Sequence, residues 1–519
     1  MASLWRRAPG KAVLFLTDVV SATALIFEGI YTYTRYNQGV MGTVSSTPGF
    51  IEMAQIGSDG VVTHSVKQGG LIAAYYFGAM CACFLGGWIG DRIGRKRGTL
   101  VGVLLGITGA GLMAGSSSAS TFLCARVVAG LGVGFVSVTV LPWVSELSAA
   151  HDRGAAFSLV FTANFAGIAA ASWLNFGVRD TGRAFRWRFP LAFMASPLLL
   201  VAAALFFLPE SPRRDLSPAD PAIVTELAHL DATFAHGRQP GAFLNLLLGG
   251  GRSGRLHLGR RAVMGCALQW MQQWTGILAI VGWAGELFRL AGFDAYKSLW
   301  LAGLVNTLGV PGTAAAALVI DRMGRVGSLM VSFITQGIAL FLVAAFVKTS
   351  QDAVATDPAT SVQLGTAAAS FVFVYIWFFT MFNIVPCWIY GTEIWPQEMR
   401  AKGYSFTIFG WAAGCGMTQF VIPIMLLKLG YKTYLFFGVM NIAAMPIVWY
   451  LYPEVAKRSL EEMSLLFTSD SLLVSENIKA YHQRVAAAGG DVAVASRRLL
   501  DEVEGSDKEA QRTDKSPGR

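Results

Sequence analysis

The sequence predicts an all-α membrane protein with twelve transmembrane helices in two pseudo-symmetric six-helix bundles. Three observations predict it: a series of long uncharged stretches, a bias of Lys and Arg toward alternate connections, and an internal repeat. The 519 residues are 54% hydrophobic and only 14% charged, more apolar surface than a water-soluble domain covers. About 20 helical residues cross the hydrocarbon core of a bilayer. The uncharged runs 69–90, 98–125, 127–145, 154–178, 189–209, 262–285, 298–320, 326–347, 358–392, 403–427 and 433–453 meet that length and are read as spans 2 to 12. Span 1 is the stretch from Ala12 to about Gly42, which Asp18, Glu28 and Arg35 interrupt.

Orientation follows from the basic residues, because short loops rich in Lys and Arg stay in the cytoplasm. Arg6, Arg7 and Lys11 precede span 1; Arg92, Arg95, Lys96 and Arg97 follow span 2; Arg213 and Arg214 follow span 6; Arg322 and Arg325 follow span 8; Arg400 and Lys402 follow span 10. Both termini are thus expected inside. One connection disobeys: Arg179, Arg183, Arg186 and Arg188, around FRWRF between spans 5 and 6, would face outward. The resulting segments are an N-terminus (1–11), an N-terminal bundle (12–209), a cytoplasmic central loop (210–261), a C-terminal bundle (262–453) and a cytoplasmic tail (454–519). No cleavable signal peptide is expected, since the first apolar run has no small-residue cleavage site and further spans follow.

Several function classes are excluded. The net charge of +9 reads as topology and contact with anionic headgroups, so no nucleic-acid partner is expected and the partner is the lipid bilayer. All six cysteines fall inside apolar spans without metal or disulfide spacing and are expected to be packed and buried. None of the six histidines lies in a span. No nucleophile, metal or phosphate-loop constellation is present, so neither catalysis nor a cofactor is expected.

The repeat completes the fold argument. DRIGR from Asp91 to Arg95 recurs as DRMGR from Asp321 to Arg325. Glu146 with Arg153 seven residues on recurs as Glu393 with Arg400, and Pro209-Glu210 as Pro453-Glu454. Offsets of 230 to 247 positions put six spans in each half, the pattern of a carrier that rocks about a central site.

At these residues the chain resembles the major facilitator superfamily. GGWIGDRIGRKR (86–97) is similar to that superfamily's loop signature, and RVVAGLGVG (126–134), PESPR (209–213), EIWPQEMRAKG (393–403) and PEVAKRSLEE (453–462) to the markers of its sugar porter branch. KQGG (67–70), FRWRFP (185–190) and YNQGVMG (36–42) resemble fungal members. The resemblance covers about residues 12–465 and implies sugar or polyol transport by alternating access.

Opposite charges at the cytoplasmic helix ends, Asp91 with Arg95, Asp321 with Arg325, Glu146 with Arg153 and Glu393 with Arg400, sit where partial desolvation strengthens an ion pair. The resemblance implies that they latch the two halves. For the substrate, Gln269, Gln272, Gln273 and Gly276 recur at helical spacing, so three amides share one face of span 7. Amides donate and accept hydrogen bonds, which suits neutral hydroxyls. QQWTGI (272–277) resembles the family's glutamine pair, and the resemblance adds Asn306 as a sugar contact and Trp388 as the aromatic under the ring. Departures from the family pattern are Leu278 for an Asn, Gly282 and Trp283 for a tyrosine pair, and Phe161 for a span 5 glutamine, with Asn164 one turn later offering partial compensation.

Two features concern coupling. Fungal relatives read FEGYDQGVMG, so IYTYTR (30–35) looks inserted, or arises from a misplaced exon boundary; a helical insert adds about 9 Å and about 120° of misregister. Proton-coupled relatives carry an aspartate where this chain has Asn37, facing the arginine that matches Arg126. Asn37 cannot titrate, which favours passive diffusion and leaves it as a further candidate substrate contact; Glu28 is the remaining acid that would serve Arg126 if protons are partners. The tail is expected to carry a helix that packs on nothing, and a transporter-shaped nutrient sensor is the alternative to a carrier.

Overall fold

The computed structural model describes residues 36–58, 60–147, 153–205, 257–395, 400–458 and most of 460–502. Among them, ten helices are long and apolar enough to cross a membrane, and they coincide with spans 2–6 and 8–12. Span 1 is described over its final helical residues, 36–44, and the insertion at 30–35 and Glu28 lie outside the described residues.

Span 7 is broken into Leu258–Gln272, a π turn Gln273–Ile277, Leu278–Gly282 and Ala284–Leu290. Gly276 causes the break: its φ of 98° is accessible to glycine at little cost, and a β-carbon there would press on the Phe437 ring. Span 10 carries a second π turn, Thr380–Ile384, between Pro358–Phe379 and Val385–Glu393.

The packing obeys the six-helix repeat. Span 3 (Arg95–Gly115) lies on span 4 (Ala119–Leu147) and span 6, as span 9 (Arg325–Ala353) lies on span 10 and span 12 (Lys432–Leu451). Between the halves, span 2 (Ser65–Ile93) packs along span 11 (Arg400–Leu429), and its equivalent span 8 (Ala295–Met323) along span 5 (Arg153–Gly177). The DRIGR and DRMGR repeats share one backbone turn, with φ of 98° at Gly94 and 79° at Gly324. RVVAGLGVG is a packing motif: β-carbons on Gly130 and Gly134 would strike span 2 at Tyr75 and Ala79, and one on Gly132 would strike span 3. Large apolar side chains such as Phe77, Leu104, Leu200, Leu318 and Trp449 are left exposed around the outside, as lipid-facing residues should be.

Several expectations are corrected. The uncharged runs divide at Arg126, but the turn between spans 3 and 4 falls at Ser116–Ser118, and Arg126 lies on span 4 as expected, with polar partners there. The FRWRF arginines do not form a loop: span 6 begins at Arg183, and Arg183 reaches Glu52 at 2.9 Å while Arg188 donates to the Ser116 carbonyl. The connection 45–64 contains a helix, Pro48–Ala54, and a two-stranded hairpin of β1 (Gly57–Ser58) and β2 (Val61–Val62). All six cysteines are free, but Cys81 and Cys124 are exposed instead of buried. The helix of span 7 starts at Leu258, inside the expected central loop.

The tail also departs from expectation. Its helices Leu460–Leu466 and Val474–Ala487 dock on the bundle, burying Leu465, Leu466, Phe467 and Leu499. Arg260 donates to the carbonyls of Ser471 (2.6 Å) and Leu472 (2.9 Å) and to Asn477 Oδ1 (3.2 Å). Arg261 donates to the Ile394 and Met463 carbonyls. A charge that reads in sequence as the edge of a span is therefore an anchor. Arg260→Ala loses several charged hydrogen bonds, each contributing about 1.5–3 kcal/mol. Trypsin should then cut after Lys479 and Arg484 at least about tenfold faster in detergent; an unchanged cleavage rate would refute the docking.

Candidate functional site

The break in span 7 puts two consecutive glutamines at the centre of the molecule. Gln272 Nε2 donates to Asn383 Oδ1 (3.1 Å), which the π turn of span 10 turns inward, and Gln273 Nε2 donates to Gln272 Oε1 (3.1 Å). The Cys415 thiol donates to Gln273 Oε1 at 3.1 Å, and Gln38 Nε2 approaches the same sulfur at 3.8 Å. A polar chain thus runs from span 1 in one half to span 10 in the other. The unwound backbone is held from behind, since Tyr375 Oη and Asn441 Nδ2 both donate to the Thr275 carbonyl, at 3.1 and 2.9 Å. A left-handed glycine would otherwise leave that carbonyl unpaired in an apolar core.

A cavity of about 20 Å³ lies against these amides. Gln38 and Asn164 wall it from the N-terminal half, and Gln272 and Gln273 from the C-terminal half; the remaining lining is apolar, Phe379 and Leu278 included. It has room for one water, against about 300–1,000 Å³ for a typical small-molecule site, so this arrangement holds the site shut.

Of the residues singled out in sequence, Gln272 and Gln273 line the cavity. Gln269 is fully buried a turn below it, with neither amide atom hydrogen-bonded among the described residues. Asn306 donates to Ser172 Oγ (2.8 Å) and the Val281 carbonyl (3.3 Å), joining spans 5, 7 and 8 beside the site instead of lining it. Trp388 is 1% exposed and covered, its ring 5.4 Å from Phe161 and 5.9 Å from Trp411. Asn37 accepts a hydrogen bond from Arg126 Nη1, while Arg126 Nη2 donates to the Ile72 carbonyl (2.7 Å) and the guanidinium lies over the Tyr75 ring. Sequence reading passed over Gln38 as a site residue, although it follows Asn37 directly in YNQGVMG. It also passed over Cys415 and Asn383, which carry no local signal.

At the helix ends that carry the DRMGR motif, Arg325 forms a fork with Glu393 (Nε–Oε2 and Nη2–Oε1, both 3.0 Å) and also reaches Asp321 at 3.1 Å. Glu393, expected to pair with Arg400, is thus joined to the DRMGR motif. Glu454 caps span 9, accepting from the backbone amides of Arg325 and Val326 at 2.9 Å each, where a helix N-terminus favours a carboxylate. The side chains of Asp91, Arg95, Glu146, Arg153 and Arg400 lie outside the described residues. No cluster of three or more His, Cys, Asp or Glu suited to a metal occurs among the described residues.

The family described as "Sugar (and other) transporter" matches residues 22–467 of the chain. The chain is 28% identical to the sugar transporter STL1 of Saccharomyces cerevisiae, over 88% of this chain and 82% of that one. It is 28% identical to the MFS-type transporter oryC of Aspergillus oryzae, over 90% of this chain and 87% of that one. Among solved structures, the proton:xylose symporter XylE bound to 6-bromo-6-deoxy-D-glucose is similar with a TM-score of 0.71 and 22% identity, covering 87% of this chain and 99% of the other. That likeness shows the major facilitator fold.

Proposed function

This chain belongs to the sugar (and other) transporter family, and on that premise we propose that it carries a neutral sugar or polyol across the membrane by passive facilitated diffusion. It is a multi-pass membrane transporter and not an enzyme. The observation that carries the substrate class is the lining of the central cavity: amides from both halves, apolar side chains, and no titratable group among the described lining residues. A charged solute would lose its hydration there without a counter-ion, whereas hydroxyls find donors and acceptors. Rocking of the halves about the seams between spans 2 and 11 and spans 5 and 8 would open the cavity to either side in turn. The basic connections support a reading with both termini in the cytoplasm, and the plasma membrane is the expected location. The fork of Arg325 with Glu393, and its equivalent in the first repeat, would latch the cytoplasmic side.

Passive transport follows from Asn37, which occupies the partner position of Arg126 and cannot take up a proton. Labelled xylose, glucose and glycerol should equilibrate, not accumulate, in a transporter-deficient cell expressing the protein, with or without an imposed proton gradient. Asn37→Asp should make uptake acid-stimulated: Arg126 beside the new carboxylate keeps it charged at neutral pH, and protonation releases the guanidinium. If the wild type instead accumulates sugar under a proton gradient and Glu28→Gln abolishes this, the proton-symport reading replaces the passive one. Binding without flux would favour a sensor.

A further inference from the structure

Resting on the transport reading above, we infer that Asn164 is the N-terminal half's hydrogen-bonding anchor for a substrate hydroxyl pair, and that Phe161 on Trp388 closes the site one turn below it. Among the amides lining the cavity, Gln272, Gln273 and Gln38 each have a hydrogen-bond partner. Asn164 differs. It is 0% exposed, yet neither its Nδ2 nor its Oδ1 has a partner among the described residues. Buried amides are nearly always hydrogen-bonded, so a group with both ends open beside a cavity is fitted to something that enters it. One free donor and one free acceptor on the same planar group match adjacent hydroxyls, each of which accepts and donates.

The neighbouring turn explains why this position carries the contact. Phe161, Asn164, Phe165 and Ile168 share one face of span 5, and all but Phe161 line the cavity. Phe161 is buried with its ring 5.4 Å from Trp388, which in turn meets Trp411. The aromatic group fills the space where a polar side chain at 161 would reach, and it covers the tryptophan expected beneath a sugar ring. Moving from 161 to 164 shifts the anchor about 4.5 Å along the helix, away from the end that begins at Arg153. The resulting site is shallow and floored by Phe161, suited to small neutral polyols and pentoses over bulkier sugars.

Uptake of labelled glycerol, D-xylose, D-glucose and myo-inositol, each competed by deoxy analogues, tests this. Asn164→Leu, similar in volume and without hydrogen-bonding atoms, should raise KM for the best substrate at least about tenfold with surface expression unchanged. The deoxy analogue penalised most by the wild type should show no added penalty in the variant, an effect that a merely structural role does not produce. Asn164→Asp, which keeps acceptors and loses donors, should fall between the two and serves if the Leu variant fails to reach the surface. An unchanged KM, or a deoxy penalty of undiminished size, overturns the assignment while leaving transport standing. If the wild type moves none of the four solutes, the transport reading falls and this inference with it.

Discussion

Gln272→Leu should reduce uptake to about one hundredth of wild type or less at equal surface expression. Gln272 is the hub of the central polar chain, donating to Asn383 Oδ1 and accepting from Gln273 Nε2. Leucine is close in size, so the change removes hydrogen bonding without opening a large cavity. It removes an amide from the proposed site, takes away the acceptor of Gln273 Nε2, and leaves Asn383 Oδ1 with only the Cys387 thiol at 3.6 Å. Each lost or orphaned hydrogen bond costs about 1–3 kcal/mol, and about 1.4 kcal/mol is a factor of ten, so two give roughly a hundredfold. The loss should appear in both KM and maximal rate, because the orphaned groups also disturb the span 7 break that has to move. Initial rates of labelled sugar uptake, normalised to surface-biotinylated protein, measure it. A variant retaining more than about half of wild-type kcat/KM would show that the glutamine pair is structural and that the solute path lies elsewhere.

Gly42→Ala should be nearly as severe, by a different route. Gly42 near the end of span 1 meets the backbone of Gly282 in span 7, and a β-carbon on it would overlap the Gly282 carbonyl oxygen. Backbone cannot yield as a flexible side chain can, so one methyl forces the two spans apart and the closed arrangement is lost. A carrier that cannot close on that side binds but does not turn over. Uptake should fall by about tenfold or more while protection by external sugar persists. Cys415, buried against Gln273, supplies the readout. A membrane-impermeant maleimide added outside should modify it faster in the variant than in the wild type. Transport at the wild-type rate, with Cys415 no more reactive, would refute the proposed closure.

Legibility followed the range of the interaction. Spans 2–6 and 8–12 were readable because each is a local run of apolar residues whose length alone answers to the bilayer. The two halves were readable because DRIGR and DRMGR repeat, and they adopt the same turn at Gly94 and Gly324. Within the site, Gln272 and Gln273 were readable from spacing and motif, but the even helical face from Gln269 to Gly276 was not, since the left-handed Gly276 breaks it. Arg261 was placed at a span edge because a charge beside an apolar run reads as an interruption until its partners are seen.

The sequence by itself determined that this chain lives in a bilayer, folds as paired six-helix halves and carries consecutive amides in span 7. Those properties reside in composition, periodicity and repeats, each visible within a single segment or its copy. Only the tertiary structure decided which polar groups are already partnered and which remain open. It joined Arg325 to Glu393, laid Glu454 on the start of span 9, covered Trp388 with Phe161, left Asn164 facing the cavity and bound the tail to Arg260. Such pairings join residues tens to hundreds of positions apart, and the crossing of helices sets them. In a low-dielectric interior every buried polar atom needs a partner. At the cavity Asn164 is without one among the described residues, and that is where we propose the solute is held.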